Sequence, residues 1–206
     1  MTPLLPPYRI DDGLLNDTER THLLEWALNN ERRFIPALLG GGKVDPAIRL
    51  AFSLRDLGPL NATLRDRIHL RVAGLVEALR VEPFEVSEIE LELVAHGDGA
   101  HFARHEDIYA GAAHSRRGER MLSAVYYFHH EPKRFSGGAL RLHRFGAGPE
   151  DPGLDIEPDQ GRLVTFPAWA THEVRPVAVP TRDFADSRFA VNCWVYRRST
   201  RIIPAT

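Results

Sequence analysis

Cysteine is nearly absent from this chain. Cys193 is the only one in 206 residues, so no disulfide can form within the chain, and a reducing, cytoplasmic setting is expected. Lysine is almost as scarce: Lys43 and Lys133 stand alone and arginine carries the rest of the positive charge, as genome composition can dictate. The net charge is only -2, which argues against a nucleic-acid binder that works through its overall field. No apolar run approaches the roughly 18 residues of a membrane span. The opening Met1-Thr-Pro-Leu-Leu-Pro-Pro7 has neither the basic region nor the apolar run of a signal peptide. Repeats and low-complexity stretches are missing too. So are His-Glu-x-x-His, a P-loop and Gly-x-Ser-x-Gly, the marks of zinc proteases, phosphate-cradling loops and serine hydrolases.

What is present suits one globular domain over 1–206, with 43% hydrophobic and 26% charged residues. Residues 16–29 predict a helix, with Asn16 and Glu19 at capping-box spacing and Leu23, Leu24, Ala27 and Leu28 on one face. Gly40-Gly41-Gly42 predicts a flexible loop, and 50–54 a short strand. After Gly58-Pro59, the residues Leu60, Leu64, Ile68, Val72, Leu75 and Leu79 step by four or three along a second helix. His69 lies just beside that stripe and reads as structural.

After Pro83 the period becomes two. Ile89, Leu91 and Leu93 alternate with Glu88, Glu90 and Glu92, which predicts a strand with one buried face and one solvated acidic face. His96-Gly97-Asp98-Gly99 is a turn. Strands are expected at 122–129, 139–143, 162–166, 173–179 and 188–196, with loops at 146–159 and 180–186. Residues 109–120 are small, glycine-containing and basic, and read as an exposed loop able to act as a lid. Helices followed by some seven short strands point to an α+β chain, a sandwich or jelly roll with helices packed outside.

The chemistry concentrates at His105-Glu106-Asp107. In extended backbone, residues two apart face the same way, so His105 and Asp107 converge and Glu106 points away. One imidazole and one carboxylate are two-thirds of a 2-His-1-carboxylate facial triad, which holds Fe(II) and leaves open positions. His172, in Thr171-His172-Glu173-Val174, is the candidate for the third ligand. His129-His130 and His143 suggest zinc less well, because adjacent histidines on a strand face opposite ways.

The motifs in order are Gly99-x5-His105-x-Asp107, Val125-Tyr-Tyr127, Gly137-Gly-Ala-Leu-Arg141, Asp155-Ile-Glu-Pro158, Gly161-Arg-Leu-Val-Thr-Phe-Pro167, His172-Glu-Val-x-Pro176 and Arg188-Phe-Ala-Val-x-x-Trp194. This layout resembles the 2-oxoglutarate/Fe(II) dioxygenases, and within them the prolyl 4-hydroxylase-like group, with wording close to HIF-type prolyl hydroxylases. The resemblance implies a double-stranded β-helix (jelly roll) core over 86–197, with 1–85 a helical support region whose helices pack on one sheet. It implies iron on His105, Asp107 and His172. It implies that Arg188 binds the distal carboxylate of 2-oxoglutarate, a task suited to an always-charged, bidentate guanidinium, and that Tyr127 bonds the same carboxylate. Arg175 and Arg182 rival Arg188, because the stretch from His172 to Arg188 is longer than relatives usually show. His96 stands where relatives often carry a tyrosine that contacts 2-oxoglutarate.

The implied reaction consumes 2-oxoglutarate and O2, releases succinate and hydroxylates an unactivated C–H, with ascorbate as a supporting reductant. The substrate expected first is a prolyl residue of a peptide or protein. A free amino acid or other small metabolite is the alternative, and Arg116, Arg117 and Arg120 suit either. A non-catalytic iron- or oxygen-sensing jelly roll fits less well with a complete triad plus Arg188. No nucleic acid or membrane partner is expected, and the sequence leaves the oligomeric state open.

Overall fold

Leu60–Ala78 forms a helix, α2, because its apolar residues return every three or four positions. Leu64, Ile68, Val72, Leu75 and Val76 are buried along one side. Each such side chain contributes roughly 1.5–3 kcal/mol by leaving water. The shorter α1 (Asp17–Asn29) starts on the expected capping box: the Glu19 amide donates to Asn16 Oδ1 and the Asn16 amide to Glu19 Oε2, both at 2.9 Å. Arg67 of α2 ties the two helices together, donating twice to the Glu19 carboxylate at 2.7 Å.

The computed structural model describes residues 4–40, 42–108, 118–148 and 150–198. Its strands are β1 (Arg9–Asp11), β2 (Ile35–Pro36), β3 (Arg49–Leu50), β4 (Phe52–Leu54), β5 (Val86–His96), β6 (His101–His105), β7 (Glu119–Phe128), β8 (Ser136–Gly137), β9 (Leu140–Leu142), β10 (Leu154–Ile156), β11 (Leu163–Pro167), β12 (His172–Val174), β13 (Val177–Ala178) and β14 (Arg188–Arg197). Seven strands form one sheet in the order β1-β11-β7-β14-β5-β4-β2. Five form the second, β10-β9-β12-β6-β3, and β13 pairs with β8. This is a jelly roll. Residues 1–85 supply both helices and also β1 to β4. Residues 49–54 step from the smaller sheet to the larger one within six positions.

Leu23, Ala27, Leu64, Ile68 and Leu75 of the helices share one buried cluster with Ile89, Leu91, Leu93, Val191, Cys193 and Val195 of the larger sheet. Cys193 is therefore sealed in the core, and burial pushes its thiol up to about 12. A second cluster, with Tyr127, Leu142, Val164, Phe166 and Ala190, lies on the other side of the larger sheet.

The structure corrects several expectations. The alternation in β5 is real, but its acidic face is not solvated: Glu90 and Glu92 are 8% and 6% exposed. That face looks inward to the space between the sheets, and each carboxylate is partnered there. The expected single strand over 173–179 is two, because Pro176 has no N–H to carry the ladder on, and β13 turns to β8 instead. The loop over 146–159 contains β10, and β1 lies in a stretch given no element by its pattern. Gly41 of the glycine loop, and residues 109–117 of the proposed lid with Arg116 and Arg117, lie outside the described residues. Arg120 is not in a loop. It belongs to β7.

Candidate metal and cosubstrate site

β6 and β12 run antiparallel with His105 directly opposite His172. Asp107 follows β6 by two residues, and its amide donates to the Ala168 carbonyl at 3.0 Å. These contacts bring one ligating atom from each of His105, Asp107 and His172 within 4.8 Å of one another. The three residues expected from the sequence therefore meet, and among the described residues no other group could hold a metal ion in this way.

The imidazoles are pre-set. His105 Nδ1 donates to the Ala103 carbonyl and His172 Nδ1 to the Ala170 carbonyl, both at 2.8 Å. A carbonyl oxygen only accepts, so both rings carry Nδ1–H, which leaves Nε2 as the atom turned to a metal. Phe102 stacks on the His105 ring at 3.5 Å, and Phe166 packs edge-on to His172. Burial, with His172 beside it, pushes His105 down to about 3, so it stays neutral at ordinary pH. Burial alone would raise the Asp107 carboxyl. The two rings, the Ser123 hydroxyl and Arg120 outweigh it and hold the carboxyl at about 2. The donor set is thus two imidazoles and one carboxylate, which fits Fe(II).

The triad opens into a small cavity of about 30 Å³ lined also by Arg49, His96, Val125, Arg188, Asn192 and Trp194. Arg188 is 1% exposed. Its Nη1 donates to His96 Nδ1 at 3.0 Å, while Nε and Nη2 have no partner. A buried cation with two idle donors fits a carboxylate. The Tyr127 ring lies 4.8 Å from the guanidinium, and its hydroxyl is likewise buried without a partner. Burial raises the Tyr127 phenol, so it keeps a proton to donate. Gly138 makes room for Arg188: a Cβ there would sit 2.6 Å from Arg188 Cδ. The rivals are elsewhere. The side chains of Arg175 and Arg182 are 43% and 81% exposed, paired with Glu173 and Asp98.

Arg49 and Ser123 were not singled out in the sequence, and Arg120 was named only as an arginine of the 109–120 loop. Arg49 crosses from the smaller sheet to pair with Glu92 at 2.8 Å, and its guanidinium lies 5.0 Å over the Phe102 ring. Arg120 donates to the Tyr196 hydroxyl at 2.7 Å, pairs with Glu90, reaches the Asp107 carbonyl at 3.3 Å and lies over Trp194. Ser123 donates to Asp107 Oδ2 at 2.6 Å. Ser123 was within reach, because it shares a strand face with Tyr127, an expected site residue.

Two sheets around a half-buried His-Asp-His cluster with an idle arginine beside it make a jelly roll able to hold one metal ion and one carboxylate ligand. Residues 91–196 match the family model of the 2OG-Fe(II) oxygenase superfamily. The chain belongs to that superfamily. Over 144 residues it is 39% identical to an uncharacterised PKHD-type hydroxylase of Synechocystis sp., covering 68% of this chain and 46% of that protein. The chain thus spans about half the length of that relative. Its fold is similar to that of a Pseudomonas putida prolyl-4-hydroxylase, with TM-score 0.68, 21% identity and 93% of each chain covered. It is also similar to a Trichoplax adhaerens prolyl hydroxylase solved with a peptide of hypoxia inducible factor, with TM-score 0.66, 20% identity, and 93% and 84% covered.

Proposed function

We propose that this chain is an Fe(II)- and 2-oxoglutarate-dependent dioxygenase that hydroxylates a prolyl residue of a peptide or protein. One observation carries the reading: the His105–Asp107–His172 cluster and the half-unpartnered Arg188 face one buried cavity. His105, Asp107 and His172 would hold the metal, Arg188 and Tyr127 the distal carboxylate of 2-oxoglutarate. Bound iron and cosubstrate supply the power to oxidise an unactivated C–H. The protein's share is to orient and to keep water out.

Each share has its residues. The Ala103 and Ala170 carbonyls aim the imidazoles. Phe102, Val125, Leu140 and Val174 dry the cavity walls. A groove of about 350 Å³ leads from the triad to the surface past Leu38, Ile48, Phe102, Ile108 and Trp194. That a prolyl hydroxylase of similar fold was solved with a peptide supports a peptide segment over a free amino acid. The single-domain organisation, with 1–85 supporting an 86–197 core, belongs to the same reading, as does a cytoplasmic setting. Among the described residues, no helix is long and apolar enough to cross a membrane.

The test is purified protein with Fe(II), 2-oxoglutarate, ascorbate and a proline-bearing peptide library. The expected result is succinate formation together with one added oxygen on a proline. Absence of 2-oxoglutarate turnover with every substrate would overturn the assignment. Turnover with free amino acids but no peptide would transfer it to the small-metabolite alternative.

A further inference from the structure

Asp107 has two oxygens, and both stand near the place a metal would take. Oδ1 is 3.7 Å from His105 Nε2, and Oδ2 is 3.7 Å from His172 Nε2. A carboxylate can bind one metal through one oxygen or through both. The choice matters for the function proposed above, on which this inference rests. In six-coordination, two imidazoles and one oxygen leave three positions. A chelating 2-oxo acid fills two of them, and one remains for a gas. If both Asp107 oxygens bound, none would remain.

The two oxygens are not equivalent. Ser123 Oγ donates to Oδ2 at 2.6 Å, the short end of the range for a hydroxyl on a carboxylate. Among the described residues, nothing donates to Oδ1. Ser123 is 1% exposed in the middle of β7, opposite Trp194 of β14 and Phe166 of β11. Its hydroxyl therefore has no water to turn to. The bond draws negative charge toward Oδ2 and weakens that oxygen as a ligand. The main chain of Asp107 is pinned as well: its N–H donates to Ala168, and its carbonyl accepts from Arg120. With backbone and one oxygen both held, the carboxylate cannot swing to present both oxygens. Val125, next on the same face, turns apolar surface to the cavity.

We propose that Ser123 is a positioning residue that holds Asp107 to one-oxygen ligation through Oδ1 and so keeps one coordination position vacant. Nothing in its own chemistry touches substrate.

The probe is nitric oxide, which fills a vacant position on Fe(II) and gives a paramagnetic complex that can be titrated by electron paramagnetic resonance without turnover. The samples are the anaerobic Fe(II)·2-oxoglutarate complexes of the parent, Ser123→Ala and Ser123→Thr. In Ser123→Ala, Fe(II) and 2-oxoglutarate should bind within about threefold of the parent while nitric oxide affinity falls by about tenfold or more, the scale of losing one hydrogen bond to a charged group. Ser123→Thr keeps the hydroxyl and should restore parental nitric oxide affinity. Parental affinity in Ser123→Ala overturns the assignment. So does loss of Fe(II) itself in that variant, which would mean that the hydroxyl only orients the ligand. If the parent binds neither Fe(II) nor 2-oxoglutarate, the functional reading falls and takes this inference with it.

Discussion

Arg188 donates to His96 Nδ1 at 3.0 Å across the floor of the cavity. An arginine cannot accept, so His96 must be neutral and carry its proton on Nε2. Burial, then the charges of Arg188 and Arg49, push its pKa well below 6.5. The native state therefore refuses a proton that the unfolded chain accepts. Its contribution to stability is fully present above about pH 6.5 and is lost as pH falls toward the folded value, by up to about 1.4 kcal/mol per pH unit. His96→Asn keeps an acceptor for Arg188 and removes the titration. Urea unfolding of metal-free protein at pH 7.5 and 5.5 should show the parent losing more stability than this variant. Equal losses would mean that His96 is protonated in the fold.

His105→Ala, Asp107→Ala and His172→Ala should each abolish Fe(II) binding while leaving a cooperative thermal transition. Isothermal titration of apo-protein with Fe(II) under nitrogen checks the first part, and circular dichroism the second. A variant that binds iron at parental affinity removes its residue from the ligand set.

Arg188→Ala should weaken 2-oxoglutarate by about 30- to 1,000-fold, the scale of losing a charge-assisted pair in a dry site. Arg175→Ala and Arg182→Ala should leave its KM unchanged, because both side chains are on the surface. The reverse pattern would place the anchor in the stretch before β14.

Arg49 and Glu92 are 6% and 8% exposed in their side chains. Removing one member of a buried pair strands the other, so Arg49→Met should destabilise the fold by about 3–5 kcal/mol. Arg49→Met with Glu92→Leu should recover most of that loss, as measured by chemical denaturation. A single variant as stable as the parent would show that water reaches Glu92.

Local signals in the sequence were legible where one residue's neighbours decide its state. The α2 stripe, the Asn16–Glu19 cap and the shared face of His105 and Asp107 are of this kind. Glu90 and Glu92 show the limit. A period of two says that a strand has two faces but not what covers the second, and here Arg49 and Arg120 arrive from 43 and 30 residues away. Arg120 read as loop because the basic run ahead of it blurs the start of β7. Three-residue strands such as β1 and β10 are too short to show a period. Ser123 is a partner of Asp107 only through the pairing of distant segments, which no spacing within the chain displays.

The strand order has a consequence for how the protein comes into being. β14, the last described strand to leave the ribosome, lies between β7 and β5 in the middle of the larger sheet. Until it arrives, β1-β11-β7 and β5-β4-β2 are two separate ribbons with open edges. His105 and His172 already exist in that nascent chain, but Arg188 and the wall carrying Asn192 and Trp194 do not. The closing strand thus works as a timer. On the reading proposed above, cosubstrate binding has to wait until β14 is made, and a ribosome stalled before residue 188 leaves behind a chain that lacks this wall of the cavity.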